Sequence, residues 1–272
     1  PHVDWIYTDE DKIDKNGRHF DPQFKGGWNP EMAITHNFTH HLTAIRKSLV
    51  ERVGWMRKGF EGAQDLDLFL RVAENTTADR IRHVPHVCYH WRSHGGSTAS
   101  HGTQKSYIFD SAYRAINDAL KRRALRAEPF LPPVAERHGM CLHQLKWHAD
   151  PPAPRKVTIV IPTKDRIDLL KRCISSLQKT VDDRFVKLLI VDDRSSEPRT
   201  LEYLRELESE HILRCRVIHP ETNDGKFNYA RLMNEAARHV DTPYMLHLNN
   251  DVEAIMPGWL EEMMGWMSID NV

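Results

Sequence analysis

Short aliphatic, β-branched runs alternate along the chain with segments whose apolar residues recur every three or four positions, which predicts a succession of strands and helices. Residues 156–166 read KVTIVIPTKDR, where Val157, Ile159, Val160 and Ile161 make a buried parallel strand that runs out into a loop at Pro162. Ile167, Leu170, Ile174 and Leu177 then fall at helical spacing, and VKLLIVDDRSS at 186–196 is a second strand ending on Asp192 and Asp193. A strand–helix–strand unit with polar residues at both carboxyl ends is the place where open α/β sheets bind nucleotides. Downstream the pattern predicts a helix near 198–209, a strand over 214–218, and a turn at Asn223, Asp224 and Gly225. A helix burying Ala230, Met233, Ala237 and Val240 follows, then a strand over 244–248 that ends in Asn249, Asn250 and Asp251.

The first hundred residues repeat this grammar. A short apolar strand at 5–7 is followed by Asp9, Glu10 and Asp11, whose alternating carboxylates suit a hard divalent cation or else form a solvated acidic turn. GFEGAQDLDLFLRVAE predicts a helix with Leu66, Phe69, Leu70 and Ala73 toward the core. Asp65 stands in its first turn, where the helix dipole favours an ionised carboxylate, as a functional group or as a helix-start residue; Asp67 is a second candidate. IRHVPHVCYHWRSHGGSTAS reads as a strand entering a Gly-rich loop that carries His90, Arg92 and His94, with His90 suited either to a metal or to a plain surface position. His36, His40, His41, His83 and His86 lie in no familiar metal spacing and are taken as incidental. A helical pattern over 103–127 ends in the basic run 121–123, read as a solvated helix end. Prolines at 129, 132, 133, 151, 152 and 154 place a boundary near 150.

Composition narrows the class. The chain has 272 residues, 40% of them hydrophobic, which is enough for a packed core in one large or two small domains. Its 38 basic and 38 acidic residues cancel, so charge recommends neither nucleic acid nor a membrane surface as partner. The four cysteines, scattered without a metal spacing, read as reduced core thiols and favour a cytoplasmic location, with peripheral attachment to the inner face of the cell membrane left open. No apolar run reaches the roughly 20 residues of a membrane span. The opening PHVDWIYTDED lacks a Met, and the chain is read as a fragment.

The ordered set TIVIPTKDR, LLIVDDRSS, DGKFNYARLMNEAA and LHLNNDVE resembles the nucleotide-binding half of a family 2 glycosyltransferase of the GT-A fold. TDEDKID, WNPEM, GFEGAQDLDL and YHWRSHGGSTA resemble the other half of a second, tandem copy. The resemblance implies three segments: 1–100, the metal, acceptor and catalytic half; 101–154, a helical, Pro-rich connector; and 155–272, the nucleotide-sugar half. It implies a mostly parallel, Rossmann-like α/β sheet flanked by helices, with the two halves expected to pack as one permuted unit or to stand independently. Pro162, Thr163, Asp165, Asp192 and Asp193, with Lys226, Asn228, Asn250 and Asp251, are the implied nucleotide-sugar residues. Asp9, Asp11 and His90 are the implied ligands of Mn2+ or Mg2+, and Asp65 is the implied general base. The second copy's metal motif reads Asn249, Asn250, Asp251, with one carboxylate left. The implied reaction is inverting transfer of a sugar from a UDP- or dTDP-linked donor to a saccharide acceptor in cell-surface polysaccharide synthesis, with a homo-oligomer left open. A dinucleotide oxidoreductase is disfavoured because PTKDR lacks the glycines needed near a pyrophosphate. A non-catalytic nucleotide-sugar or polysaccharide binding module is the stronger rival.

Overall fold

A computed structural model describes residues 2–93, 106–148, 157–220 and 227–269. They fall into two units, Pro1–His148 and Ala149–Val272. The first is built on β1 (Trp5–Ile13), a nine-residue strand. The carboxylates expected just past a short strand therefore lie within it. β2 (His19–Gln23) returns antiparallel along its second half, after a turn in which Asp14 Oδ1 accepts the Asn16 and Arg18 N–H groups and Gly17 takes φ 83°. α1 (Pro30–Thr35) follows, and β3 (Thr43–Ile45) then pairs antiparallel with the first half of β1. α2 (Lys47–Val53) and α3 (Gln64–Ala73) lead to β4 (Ile81–Arg92), which runs parallel to β1 on its other side. Thr8 opposes Val84 but Asp9 opposes Val87, so the register jumps around Pro85, a residue with no N–H for the ladder.

Trp5 and Tyr7 anchor the first core against Phe38, Leu49, Leu68, Phe69 and Val72. α3 was expected to bury one face, yet every residue from Leu66 to Val72 is buried, because α4 (Ser106–Arg122) packs on its other side. The small residues Ala112, Ala115 and Ala119 of α4, buried with Ile116 and Leu120, permit the close approach. β5 (Ala127–Phe130), α5 (Pro133–Arg137) and β6 (Gln144–Trp147) complete the unit, with β5 and β6 antiparallel. The segment read as a connector thus supplies α4 to the first core. Its basic end is also not simply solvated: Arg122 Nη2 lies 3.0 Å and Arg123 Nε 3.5 Å from Glu74 Oε1.

The second unit is a four-stranded parallel sheet in the order β10-β7-β8-β9. Its elements are β7 (Val157–Thr163), α6 (Ile167–Thr180), β8 (Val186–Asp192), α7 (Pro198–Ser209), β9 (Arg216–Ile218), α8 (Tyr229–Arg238), β10 (Tyr244–His247) and α9 (Trp259–Trp266). Val157, Ile159 and Ile161 face Leu170, Ile174 and Leu177 of α6, Leu204 and Leu207 of α7, and Leu260 of α9. Val160, Leu189 and Val191 face α8. The buried face of α8 is Leu232, Met233 and Ala236, while Ala230 and Ala237, expected inside, are exposed; the helix is rotated from the expected phase. This is the α/β architecture expected, a parallel sheet flanked by helices. The chain steps outward from β7 through β8 to β9 and then returns to place β10 on the far side of β7. Strand order therefore reverses between β7 and β10.

Candidate functional site

At such a reversal the connections leave in opposite directions and open a crevice at the carboxyl ends of the strands. In the second unit that edge carries Pro162 and Thr163 from β7, Asp192 and Asp193 from β8, His219 just past β9, and Asn250 past β10. Asn250 Nδ2 donates to Thr163 Oγ1 at 3.2 Å, which spans the reversal itself. Asp192 is buried, and its carboxylate accepts the Ser195 N–H at 3.1 Å and the Ser195 hydroxyl, with His219 Nδ1 at 3.0 Å. Asp193 donates its N–H to the Thr163 carbonyl at 2.8 Å and meets Arg194 Nε at 3.0 Å.

Asp165 joins the two neighbouring loops. Its N–H donates to Ser195 Oγ at 2.7 Å, and its Oδ1 accepts the Ser196 and Glu197 N–H groups, both at 2.8 Å. The Glu197 N–H, helped by that of Ser196, holds this carboxyl below its usual range, at the start of α7 where the helix dipole favours a negative charge. The loops at 162–166 and 192–196 are thereby clasped side by side. Asn228 caps α8, accepting the Arg231 N–H at 3.0 Å. Asp251 is exposed. Lys226 and His94, with the turn at 223–225, lie outside the described residues.

The first unit gathers charge on both faces of β1, because successive side chains of a strand point to opposite sides. Asp11 Oδ1 lies 2.5 Å from His90 Nδ1 of β4, and Oδ2 lies 2.8 Å from His19 Nδ1 of β2, so three adjacent strands each bring one group. Their ligand atoms all fall within 4.8 Å of one another. Burial works to raise the Asp11 carboxyl, but His90 and His19 more than offset this and hold it below its usual range. Asp9, expected beside them, is not in this set; its Oδ1 accepts the Lys25 N–H at 2.8 Å and lies 2.7 Å from His83 Nε2. Burial and Asp9 together push the neighbouring Tyr7 phenol up to about 12, so it stays a neutral donor to the Gly26 carbonyl.

Glu10 points the other way, toward His40 and His41. His40, His41 and His83, taken from sequence as incidental, all meet carboxylates of β1. Burial is the main cause that lowers the His40 imidazole below its usual range, leaving it neutral near pH 7. Asp65 is half-buried in the first turn of α3, where Oδ2 accepts Asn37 Nδ2 at 2.9 Å. Asp67 has no exposed surface and is a structural anchor: Arg71 Nη2 at 2.7 Å and the Arg57 guanidinium hold its carboxylate, and Arg57 also reaches Asp118 of α4 at 3.0 Å. Sequence reasoning missed His19, although the Asp14 to Gly17 turn that folds it back onto β1 is visible as N-G between polar residues.

The second unit is a parallel α/β sheet with polar residues at its carboxyl edge, and the first carries a carboxylate–histidine cluster. Residues 158–272, which fall within the second unit, match the family model "Glycosyl transferase family 2". The chain is 35% identical over 266 residues to "Uncharacterized protein y4gI" of Sinorhizobium fredii, covering 97% of this chain and 28% of that protein. It is 31% identical over 263 residues to "O-antigen biosynthesis protein RfbC" of Myxococcus xanthus, covering 97% of this chain and 19% of that one. The chain thus spans less than a third of the length of these relatives, at 28% and 19%. Among solved structures it is similar to the mannosyltransferase PcManGT of Pyrobaculum calidifontis in complex with GDP-Man and Mn2+, with TM-score 0.39 and 19% identity over 45% of this chain and 35% of that one. It is also similar to S. aureus TarS 1-349, with TM-score 0.36 and 21% identity over 41% and 32% of the two chains. No helix among the described residues is long and apolar enough to cross a membrane.

Proposed function

We propose that this chain serves a glycosyltransferase that moves a sugar from a nucleotide-sugar, UDP- or dTDP-linked, to a saccharide acceptor with inversion, in the synthesis of a cell-surface polysaccharide. One observation carries the reading: Thr163, Asp165, Asp192 and Asn250 converge at the reversal of a parallel sheet inside the segment that matches the glycosyl transferase family 2 model. The name of the Myxococcus relative supports the polysaccharide context. We assign Pro162, Thr163, Asp165 and Asp192 to the base and ribose of the donor, and Asp193, Lys226, Asn228, Asn250 and Asp251 to the rest of the nucleotide-sugar.

Asp11, His90 and His19 form a donor set of one carboxylate and two imidazoles, which accepts Mn2+ more readily than Mg2+, an ion that prefers an all-oxygen shell, and would take Zn2+ as well. A divalent ion held there would offset the negative charge that grows on the leaving nucleoside diphosphate of a donor bound to the first unit's own copy of the domain. Asp9, held by His83 and the Lys25 N–H, lies on the same face of β1 as Asp11. Asp65, fixed by Asn37, would take the proton from an acceptor hydroxyl brought to the first unit's own copy of the domain. We read the work as cytoplasmic, with peripheral attachment to the inner face of the cell membrane as a second option.

The test is calorimetric titration of the protein with UDP, together with an assay for turnover of a UDP-sugar. Binding that is lost in Asp192→Ala supports the pocket. A second reading, a binding module without turnover, is favoured by the replacement of carboxylates by Asn249 and Asn250 at the end of β10. Tight UDP binding with no sugar release in that assay decides for it.

A further inference from the structure

The face of β1 opposite Asp11 holds a second, separate cluster. Glu10 is 2% exposed, and its Oε1 lies 3.7 Å from His40 Nε2 and its Oε2 3.1 Å from His41 Nδ1. His40 Nδ1 faces the Asn37 carbonyl. A carbonyl only accepts, so that nitrogen carries the imidazole proton and Nε2 presents a lone pair to the carboxylate. This pattern, one ring nitrogen donating to a backbone carbonyl and the other free, is the one that orients histidine as a metal ligand. Glu10 Oε2 and His41 Nδ1 are both buried, and they meet at 3.1 Å as an ion pair at angles that do not make a hydrogen bond. Two buried polar atoms aimed at each other without one are costly unless something satisfies both.

Lys25 is the nearest cation, with Nζ 3.5 Å from Glu10 Oε2. Its hydrogen bonds, however, go to the backbone carbonyls of His40 and His41, the latter at 2.5 Å, so it pins the turn that carries the two imidazoles. His41 is further fixed by stacking on Tyr89 at 4.8 Å and by Trp91 at 4.9 Å. The three ligand atoms lie within 4.8 Å of one another, and a carboxylate with two imidazoles is a donor set for a borderline transition ion with an open fourth position. We propose that Glu10, His40 and His41 bind a divalent transition-metal ion of the Zn2+ class, as a centre distinct from the one at Asp11. Because Glu10 and Asp11 are neighbours on one strand, an ion at Glu10 fixes β1 from the face opposite Asp11.

The experiment counts Zn2+ per chain by mass spectrometry after loading and desalting, in a His19→Ala/His90→Ala background that removes both imidazoles from Asp11. One Zn2+ retained per chain is expected, together with an intense visible Co2+ spectrum on substitution. Glu10→Gln in that background is expected to lower Zn2+ affinity by more than about a hundredfold, the loss that follows removal of an anionic ligand. His40→Gln/His41→Gln, which alters half-exposed side chains, gives a second route to the same loss if Glu10→Gln does not fold, with circular dichroism as the check. A background chain that retains no Zn2+, or a folded His40→Gln/His41→Gln chain that retains it at unchanged affinity, overturns the proposal.

Discussion

Asp65 and Asp67 sit two residues apart in α3, and the structure gives them opposite fates under the same substitution. Asp67→Asn removes the charge that holds Arg71, 7% exposed, and Arg57, which keeps Asp118 at 3.0 Å. Breaking a buried ion pair from one side costs roughly 3–5 kcal/mol. The partial exposure of Arg57 and its second partner put the expected loss at the low end, about 3 kcal/mol. For a unit of this size that lowers the melting temperature by about 6–12 °C. Burial works to raise the Asp67 carboxyl, but Arg57 and Arg71 outweigh it and hold the group below the usual carboxylate range. Its folded value being the lower one, its stabilisation is complete above the unfolded value and disappears as pH falls through the folded value. The gap between the parent and Asp67→Asn should therefore close in acid, below pH about 4. Asp65→Asn keeps an acceptor for Asn37 and should cost less than about 1 kcal/mol, while lowering nucleotide-sugar turnover by about a hundredfold or more. Calorimetry of each variant across pH, beside nucleotide-sugar turnover, is the assay. A loss under about 1 kcal/mol for Asp67→Asn would refute the claim that this carboxylate is a buried structural anchor.

Other substitutions read the two sites separately. Asp192→Ala should weaken UDP binding by about tenfold or more, since it removes the charged acceptor of Ser195 and His219 at the edge of the crevice; unchanged affinity by calorimetry would sink the pocket. Asp11→Asn should abolish Mn2+ binding detected by electron paramagnetic resonance at micromolar ion, because His19 and His90 are then left without an anionic ligand. Ile159→Ala, fully buried in the central strand of the second sheet, should cost about 2–5 kcal/mol in urea unfolding, with no change in Mn2+ binding.

The second unit was the more legible from sequence. A run such as Val157 to Ile161, buried on both faces, declares a parallel strand by composition alone, and the polar residues after it mark the carboxyl edge. The phase of α8 was not legible, because Ala230 and Ala237 carry too little hydrophobicity to reveal a helix rotated by about one residue. In the first unit the error concerned where a strand ends. Three consecutive acidic residues look like a turn, since carboxylates are rarely buried, yet β1 runs on through Ile13.

That continuation decides the chemistry. In a turn, Asp9, Glu10 and Asp11 would share one solvated patch; in a strand, period-2 alternation sends Glu10 to one side and its neighbours to the other. Each carboxylate then needs its own counter-groups, and they come from four different places: His83 and His90 from β4, His19 from β2, Lys25 just past β2, and His40 with His41 ahead of β3. Local spacing announces only His19, through the N-G turn; His83 and His90 arrive by the pairing of β4 with β1, and Lys25, His40 and His41 from loops, none of them marked by distance along the chain. The prediction is that the faces are chemically independent: Asp11→Asn should leave Zn2+ at Glu10 untouched, and Glu10→Gln should leave Mn2+ at Asp11 untouched, in direct binding titrations of the folded variants. A variant that loses both ions at once, with its circular dichroism unchanged, would show that the three carboxylates form a single centre after all.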